Sequence, residues 1–215
     1  MTTDRTTSDV HRSLQIALVV ITWVLLPLSF VHGGYLQDQP LHHIPTVVAL
    51  TGLGILARKG VVSDASMVSI LLFIWLHILG ARYVYSNVPY DDWSRRLFAV
   101  SITETFHFSR NHYDRLVHFA YGVLAVAPQV ELLRRRFALR RWPAHLLSIA
   151  LVLAVGALYE IVEWTVAVLM APDSANRYNG QQGDMWDSQK DMAMALLGAV
   201  VASAVVLAKR RRVGE

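Results

Sequence analysis

Asp114 and His118 stand four residues apart at the mouth of one long apolar run, and Glu160 and Glu163 stand three apart inside another. A third run is introduced by Gly183-Asp184-Met185-Trp186-Asp187-Ser188-Gln189-Lys190-Asp191. On helices, spacings of three and four place both members of a pair on one face. Carboxylate oxygens with one imidazole suit a divalent ion: Mg, Mn, Ca or Zn. Two acids on one face repel unless a cation or a shared proton intervenes. An ionised side chain at the bilayer centre costs about 2.5–3.5 kcal/mol on insertion scales, so such groups pair, bind an ion or line a wet cavity. The candidate metal ligands are Asp114, His118, Glu160, Glu163, Asp187 and Asp191. Glu160, Glu163 and His118 are the candidate catalytic groups, one carboxylate being left free as general base. His77, Arg110 and Arg115 are candidate substrate-binding residues, the arginines for an anionic head. Glu104 is expected near the same group, and Asp184 is placed to cap the helix that follows it.

A purely structural account of the same residues exists. The helix dipole alone favours Asp114, Asp187 and Asp191 at helix N-termini. Arg82, Arg110 and Arg115 could neutralise Glu160 and Glu163 as buried ion pairs. Gly156, one turn before Glu160, would admit a neighbouring helix closely. His42 and His43 read as loop residues.

The elements that must position these groups are membrane helices. The chain has 215 residues, is 54% hydrophobic and has a mean hydropathy of +0.37, too apolar for an ordinary soluble domain. The apolar runs are continuous instead of alternating, and in lipid only helices or closed barrels satisfy their own backbone. There is no cysteine, which excludes disulfides and thiolate metal sites. Six spans are expected, near Leu14–Val31, Ile44–Ala57, Ser66–Tyr85, Tyr113–Leu133, Leu146–Met170 and Asp191–Ala208, each close to the ~20 residues that ~30 Å of hydrocarbon requires. Pro27 is expected to kink the first. No A-x-A cleavage site follows that span, and it is long for a signal-peptide core, so it is expected to be retained. Residues 1–13 are expected as a mobile polar tail, 14–208 as one integral-membrane domain, and 209–215 as a basic tail. Residues 89–111 are expected to hold an amphipathic helix at the interface through Trp93, Leu97 and Val100, or a lid whose arginines meet a headgroup.

Orientation follows from the basic residues. With the N-terminus in the cytoplasm, the inner segments hold Arg5, Arg12, Arg58, Lys59, Arg134, Arg135, Arg136, Arg140, Arg141, Lys209, Arg210, Arg211 and Arg212, which are 13 of the 20. Directly abutting apolar spans, these clusters act as topology anchors and not as a nucleic-acid surface. Trp93, Trp142, Trp164 and Trp186 fall near the expected ends, as an aromatic belt does. The resulting fold class is an all-α polytopic helix bundle with both termini cytoplasmic. Every candidate site residue then gathers at the outer face.

The runs Asn111–Phe119, Tyr159–Trp164 and Gly183–Met192, with His77, Gly80, Tyr83, Tyr85, Val88-Pro89 and Trp93 upstream, together resemble the YjdF-like bacterial inner-membrane family. The resemblance implies a multi-pass inner-membrane fold and names no reaction. Lys190 departs from it, standing where the family leads one to expect an aromatic residue. A looser likeness is to VanZ-like membrane proteins, which are implicated in glycopeptide resistance. They share an Asp-x-x-x-His-Phe run, here Asp114, His118 and Phe119, a later acid, here Glu160 or Glu163, and an Asp before a final helix rich in small residues, here Asp187 or Asp191. That likeness points to the cell envelope.

Three functional readings remain open. One is a metal-dependent hydrolase or phosphoryl-group enzyme acting on a lipid, lipid-linked or other anionic amphiphilic substrate. The second is a proton- or cation-coupled carrier, and the third a non-catalytic membrane scaffold or sensor. No Walker, nucleophile-elbow or H-E-x-x-H motif is present, so ATPase, serine hydrolase and zincin readings have no support. The basic asymmetry makes a direct prediction. Reporter fusions at Gly180 and at the C-terminus should read outside and inside respectively; the opposite pair would move the acidic cluster to the cytoplasmic face.

Overall fold

A computed structural model describes residues 2–31, 34–169 and 182–211, with side chains from Val10 to Lys209 of these. The described residues form eight helices and no strand: α1 (Thr2–Leu28), α2 (Gln39–Lys59), α3 (Asp64–Arg82), α4 (Tyr90–Phe98), α5 (Ile102–Thr105), α6 (Tyr113–Phe137), α7 (Arg141–Leu169) and α8 (Asp187–Arg211). Six of them contain segments long and apolar enough to cross a membrane: Val10–Leu28, Gln39–Lys59, Asp64–Arg82, Tyr113–Phe137, Arg141–Leu169 and Asp187–Lys209. The all-α, six-span fold expected from the sequence is the fold observed. Gly180 and Arg212 lie outside the described residues.

Local chemistry explains where the spans differ from expectation. The second is longer than expected, 21 residues. Pro40 sits in its first turn, where no N–H is needed. Gly60, at φ 60°, closes its other end by donating to Ala57, as left-handed helix caps do. The helix α1 begins at Thr2, within the expected tail, and stops one residue past Pro27. The helix α3 begins on Ser63, whose hydroxyl accepts the Ser66 N–H, a common N-cap arrangement. Glu131, near the far end of α6, accepts from the Ser63 N–H at 2.9 Å and the Ser63 hydroxyl at 2.6 Å. It also bonds the Ser66 hydroxyl and pairs with Arg135. This tie fastens the start of α3 to the end of α6.

Helices α1, α2 and α3 pack on one another, as do α6, α7 and α8, and the α3–α6 contact joins the two sets. The core of the first set is built on Leu50, Leu53, Met67 and Leu71, and that of the second on Val126, Val152, Ala195 and Ala199. Outward-facing residues such as Val20, Val48, Ile55, Leu158, Ile161 and Leu197 are apolar, as a lipid-facing surface must be.

The tightest packing is between α6 and α8. A Cβ on Gly122 would stand 2.0 Å from the Ala195 carbonyl oxygen, and one on Gly198 would stand 2.2 Å from that of Phe119. Small residues let membrane helices approach backbone to backbone. This crossing, not one at Gly156, is where glycine admits a neighbour: a Cβ on Gly156 would meet nothing within 4 Å. Because each glycine faces unyielding backbone, Gly122→Val is expected to cost at least the ~1–3 kcal/mol typical of overpacking. It should lower the thermal midpoint in detergent; an unchanged midpoint would mean the helices are not in this contact.

Candidate functional site

The α6–α8 crossing fixes what lies one turn above it. His118 precedes Gly122 by four residues on α6, and Asp191 precedes Ala195 by four on α8, so both inherit the close approach. Asp114 lies a further turn up α6. Donor atoms of Asp114, His118 and Asp191 all lie within 4.8 Å of one another, and His118 and Asp191 are buried. The helix α7 brings Glu160 to the same place. His118 Nε2 is 3.7 Å from Asp114 Oδ1 and 3.7 Å from Glu160 Oε1. Ser188 hydrogen-bonds Glu160 from the first turn of α8. Glu163 bonds Tyr159 and feels the charges of Asp114, Glu160 and Asp191. The three helices singled out by sequence thus converge on one acid–histidine cluster.

Above it lies a rim of ion pairs. Arg110 Nη2 stands 2.5 Å from Asp187 Oδ1, with both side chains almost fully buried. Arg115 Nη2 stands 2.5 Å from Asp184 and 3.6 Å from Asp187, and Lys190 Nζ is 2.7 Å from Asp184. Asp184 also accepts the Trp186 N–H at 3.1 Å, which organises the entry into α8 from just outside it. Arg110 and Arg115 therefore meet Asp184 and Asp187. Arg82 donates to the carbonyls of Leu28 and Ser29, so it serves the end of α1 and not Glu160 or Glu163.

His77 sits apart from the cluster, on α3. It is buried, with Nε2 2.9 Å from the His42 carbonyl and Nδ1 bonded to the Tyr85 hydroxyl. A carbonyl only accepts, so Nε2 carries the proton and Nδ1 takes that of the tyrosine. Gly80 makes this possible, since a Cβ there would fall 2.7 Å from the Tyr85 ring. The turn back to His77 holds Val84 at φ 43° and Tyr85 at φ 56°, a region costly for side chains other than glycine's.

Between α2, α3, α6 and α7 lies a cavity of about 190 Å³. Asp114, His118, His77 and Tyr85 line one end of it, while Phe73, Ile74, Val117 and Val155 supply apolar wall. Gly156 belongs to that wall. It is buried and faces the open space.

Some expectations for single residues change. His42 and His43 are not loop residues: they are buried on α2. The polar stripe Gln39, His42, His43 and Thr46 on an otherwise apolar helix was the available signal, since such a stripe must face inward. Glu104 is 75% exposed and pairs with Arg95 at 2.8 Å, away from the cluster. Residues 89–111 form two short helices, with Leu97, Phe98 and Phe106 exposed and Trp93 packed near Tyr85 and Tyr113. Sequence reasoning gave no role to Tyr85, Gly122 or Ser188, because only their neighbours in space do.

Fold and site together define a multi-span membrane helix bundle with an acid–histidine cluster at one end. The chain belongs to the family described as "Predicted membrane protein (DUF2238)", whose pattern it matches over residues 13–212. It is 32% identical over 194 residues to the inner membrane protein YjdF of Escherichia coli (strain K12), covering 88% of each chain. No solved structure matches it.

The rim makes a pH prediction. The Lys190 hydrogen bond, partly offset by burial, and then those from Trp186 and Arg115 hold the Asp184 carboxyl down at about 2, against an unperturbed ~3.9. A depressed folded-state value stabilises the fold fully above the unfolded value, and that contribution is lost as pH falls through the folded one. The difference in thermal midpoint between wild type and Asp184→Asn should therefore be constant above about pH 5 and shrink between about pH 4 and 2. A difference that grows on acidification would contradict these contacts.

Proposed function

We propose that this protein holds a divalent cation among Asp114, His118 and Asp191 at the outer face of the inner membrane, and acts there on the anionic head of a lipid or lipid-linked envelope molecule. The observation that carries the reading is the convergence of three donor atoms within 4.8 Å. Donors to one ion, each about 2.0–2.6 Å from it, lie no more than about twice that apart. Charge supports it too. Asp114, Glu160, Glu163, Asp184, Asp187 and Asp191 face Arg110, Arg115 and Lys190, an excess of acid that calls for a cation or for protons. Glu160 Oε1 and Asp191 Oδ1 are buried without a hydrogen-bond partner, as ligand atoms await an ion.

Bound there, a cation would supply Lewis acidity or an activated water. Glu160 and Glu163, beside the three donors, are the further ligand and the general base. Arg110 and Arg115, held at the rim by Asp187 and Asp184, would orient an anionic head. His77 and Tyr85 meet the substrate from the other side of the cavity. The outer location rests on the basic residues: Arg134, Arg135, Arg141 and His145 gather at the opposite end of α6 and α7. A carrier fits less well, because the apolar cluster of Val126, Val152, Ala195 and Ala199 packs beneath the acids.

Elemental analysis of protein purified in mild detergent should find about one divalent cation per chain. His118→Ala and Asp191→Asn should each remove it. Glu163→Gln should weaken it while the bundle still folds, since the arginines named above meet Asp184 and Asp187. Wild-type protein that neither carries nor takes up Mg, Mn, Ca or Zn would overturn the reading.

A further inference from the structure

The acid–histidine cluster is the polar end of a larger space. The cavity reaches from Asp114 down α6 to Tyr121, seven residues or about 10 Å along a helix. Its lower wall is apolar, formed by Ala49 of α2, Phe73 and Ile74 of α3, and Val155 of α7. An apolar cavity of ~150 Å³ admits a benzene-sized molecule, so about 190 Å³ accommodates a short stretch of hydrocarbon. Pro45 of α2 and Val155 of α7 both line the cavity and are exposed. The space is therefore open sideways, between two helices that each cross the membrane. Helix α7 packs on α6 and α8, and α2 on α1 and α3, so the opening falls at the seam between the two helix sets.

Gly156 keeps this space clear. A buried glycine in a helix normally marks close approach of a neighbour, as Gly122 and Gly198 do. Gly156 is buried, yet a Cβ on it would meet nothing within 4 Å. Nothing in the packing requires a glycine here, and any larger side chain would project into the cavity.

We propose that the cavity is the chain pocket of an amphiphilic substrate: hydrocarbon enters from the bilayer between α2 and α7, passes Gly156, and leaves the head at Asp114 and His118. The occupant is the apolar chain of a membrane amphiphile, because lipid is what the opening faces and the far end of the cavity is charged. This rests on the reading that the site takes an amphiphile, and it adds the route and the residue that sets its width.

The test uses full-length protein in vesicles with a single-chain alkyl phosphate that carries a photoactivatable diazirine near the chain end. Irradiation should label residues of the cavity wall, Phe73, Val155 or Tyr121 among them. In Gly156→Phe that labelling should fall at least tenfold, and in Gly156→Leu by an intermediate factor. Gly52→Phe is the control of equal bulk: a Cβ there also meets nothing within 4 Å, but Gly52 does not line the cavity, so labelling should persist. Thermal midpoint and cation content should match wild type in all three variants. Wild-type label confined to the outer helix faces would overturn the proposal, as would undiminished cavity labelling in both Gly156 variants. A wild-type protein without a cation that still labels in the cavity would end the metal reading and leave the pocket standing.

Discussion

Gly122 and Gly198 bring the backbones of α6 and α8 closer than any Cβ allows, and the rest of the site depends on that contact. His118 lies one turn above Gly122, and Asp191 one turn above Ala195. The crossing therefore sets the separation of the two groups without any bond between them. Side chains placed by backbone contact hold their positions more firmly than those placed by long flexible neighbours. The third helix, α7, then needs only to deliver Glu160 beside His118, and its packing against both α6 and α8 does so.

Charge is arranged in two tiers. The rim acids, Asp184 and Asp187, are matched by Arg110, Arg115 and Lys190. Of the acids below them, Asp114 and Glu160 each stand 3.7 Å from His118, and a donor atom of Asp191 lies within 4.8 Å of it. Breaking a buried pair strands a charge and costs several kcal/mol, so the rim pairs that hold Arg110 and Arg115 in place also support α6 and the start of α8. Among the described residues no arginine or lysine forms such a pair with the lower tier, which makes it the part available for an ion, a proton or a substrate. Burial and the flanking Arg115 and Arg110 hold the His112 imidazole below its usual range. The rim's positive charge is carried by Arg110, Arg115 and Lys190.

The two helix sets divide the remaining work. The set α6–α8 supplies the acids, while α2 and α3 supply the opposite wall with His77, Tyr85 and the polar stripe of α2. The strained turn at Val84 and Tyr85 is held by packing with Val88, Tyr113 and Val117 and by the hydrogen bond to His77. Strain persists where the surroundings over-determine it, and here it holds a phenol and an imidazole at the edge of the cavity. The cavity forms at the seam because the two sets meet chiefly through α3 and α6.

The sequence alone determined the class, the number of spans and the residues that would converge. Continuous apolar runs admit only helices in lipid, and the cost of burying charge forces Asp114, His118, Glu160, Asp187 and Asp191 toward one another. Helix ends were less legible: the caps at Gly60 and Ser63 carry α2 and α3 two residues beyond the expected limits at Ala57 and Ser66. Tertiary structure decided what spacing cannot express. Arg110 and Arg115 could have met the glutamates or the aspartates, and only the fold of the segments flanking α6 and α8 sends them to Asp184 and Asp187. Gly122 and Gly156 are alike in sequence, each a glycine inside an apolar helix. One faces backbone at 2.0 Å and the other faces empty space, because that difference belongs to the neighbouring helix and not to the residue.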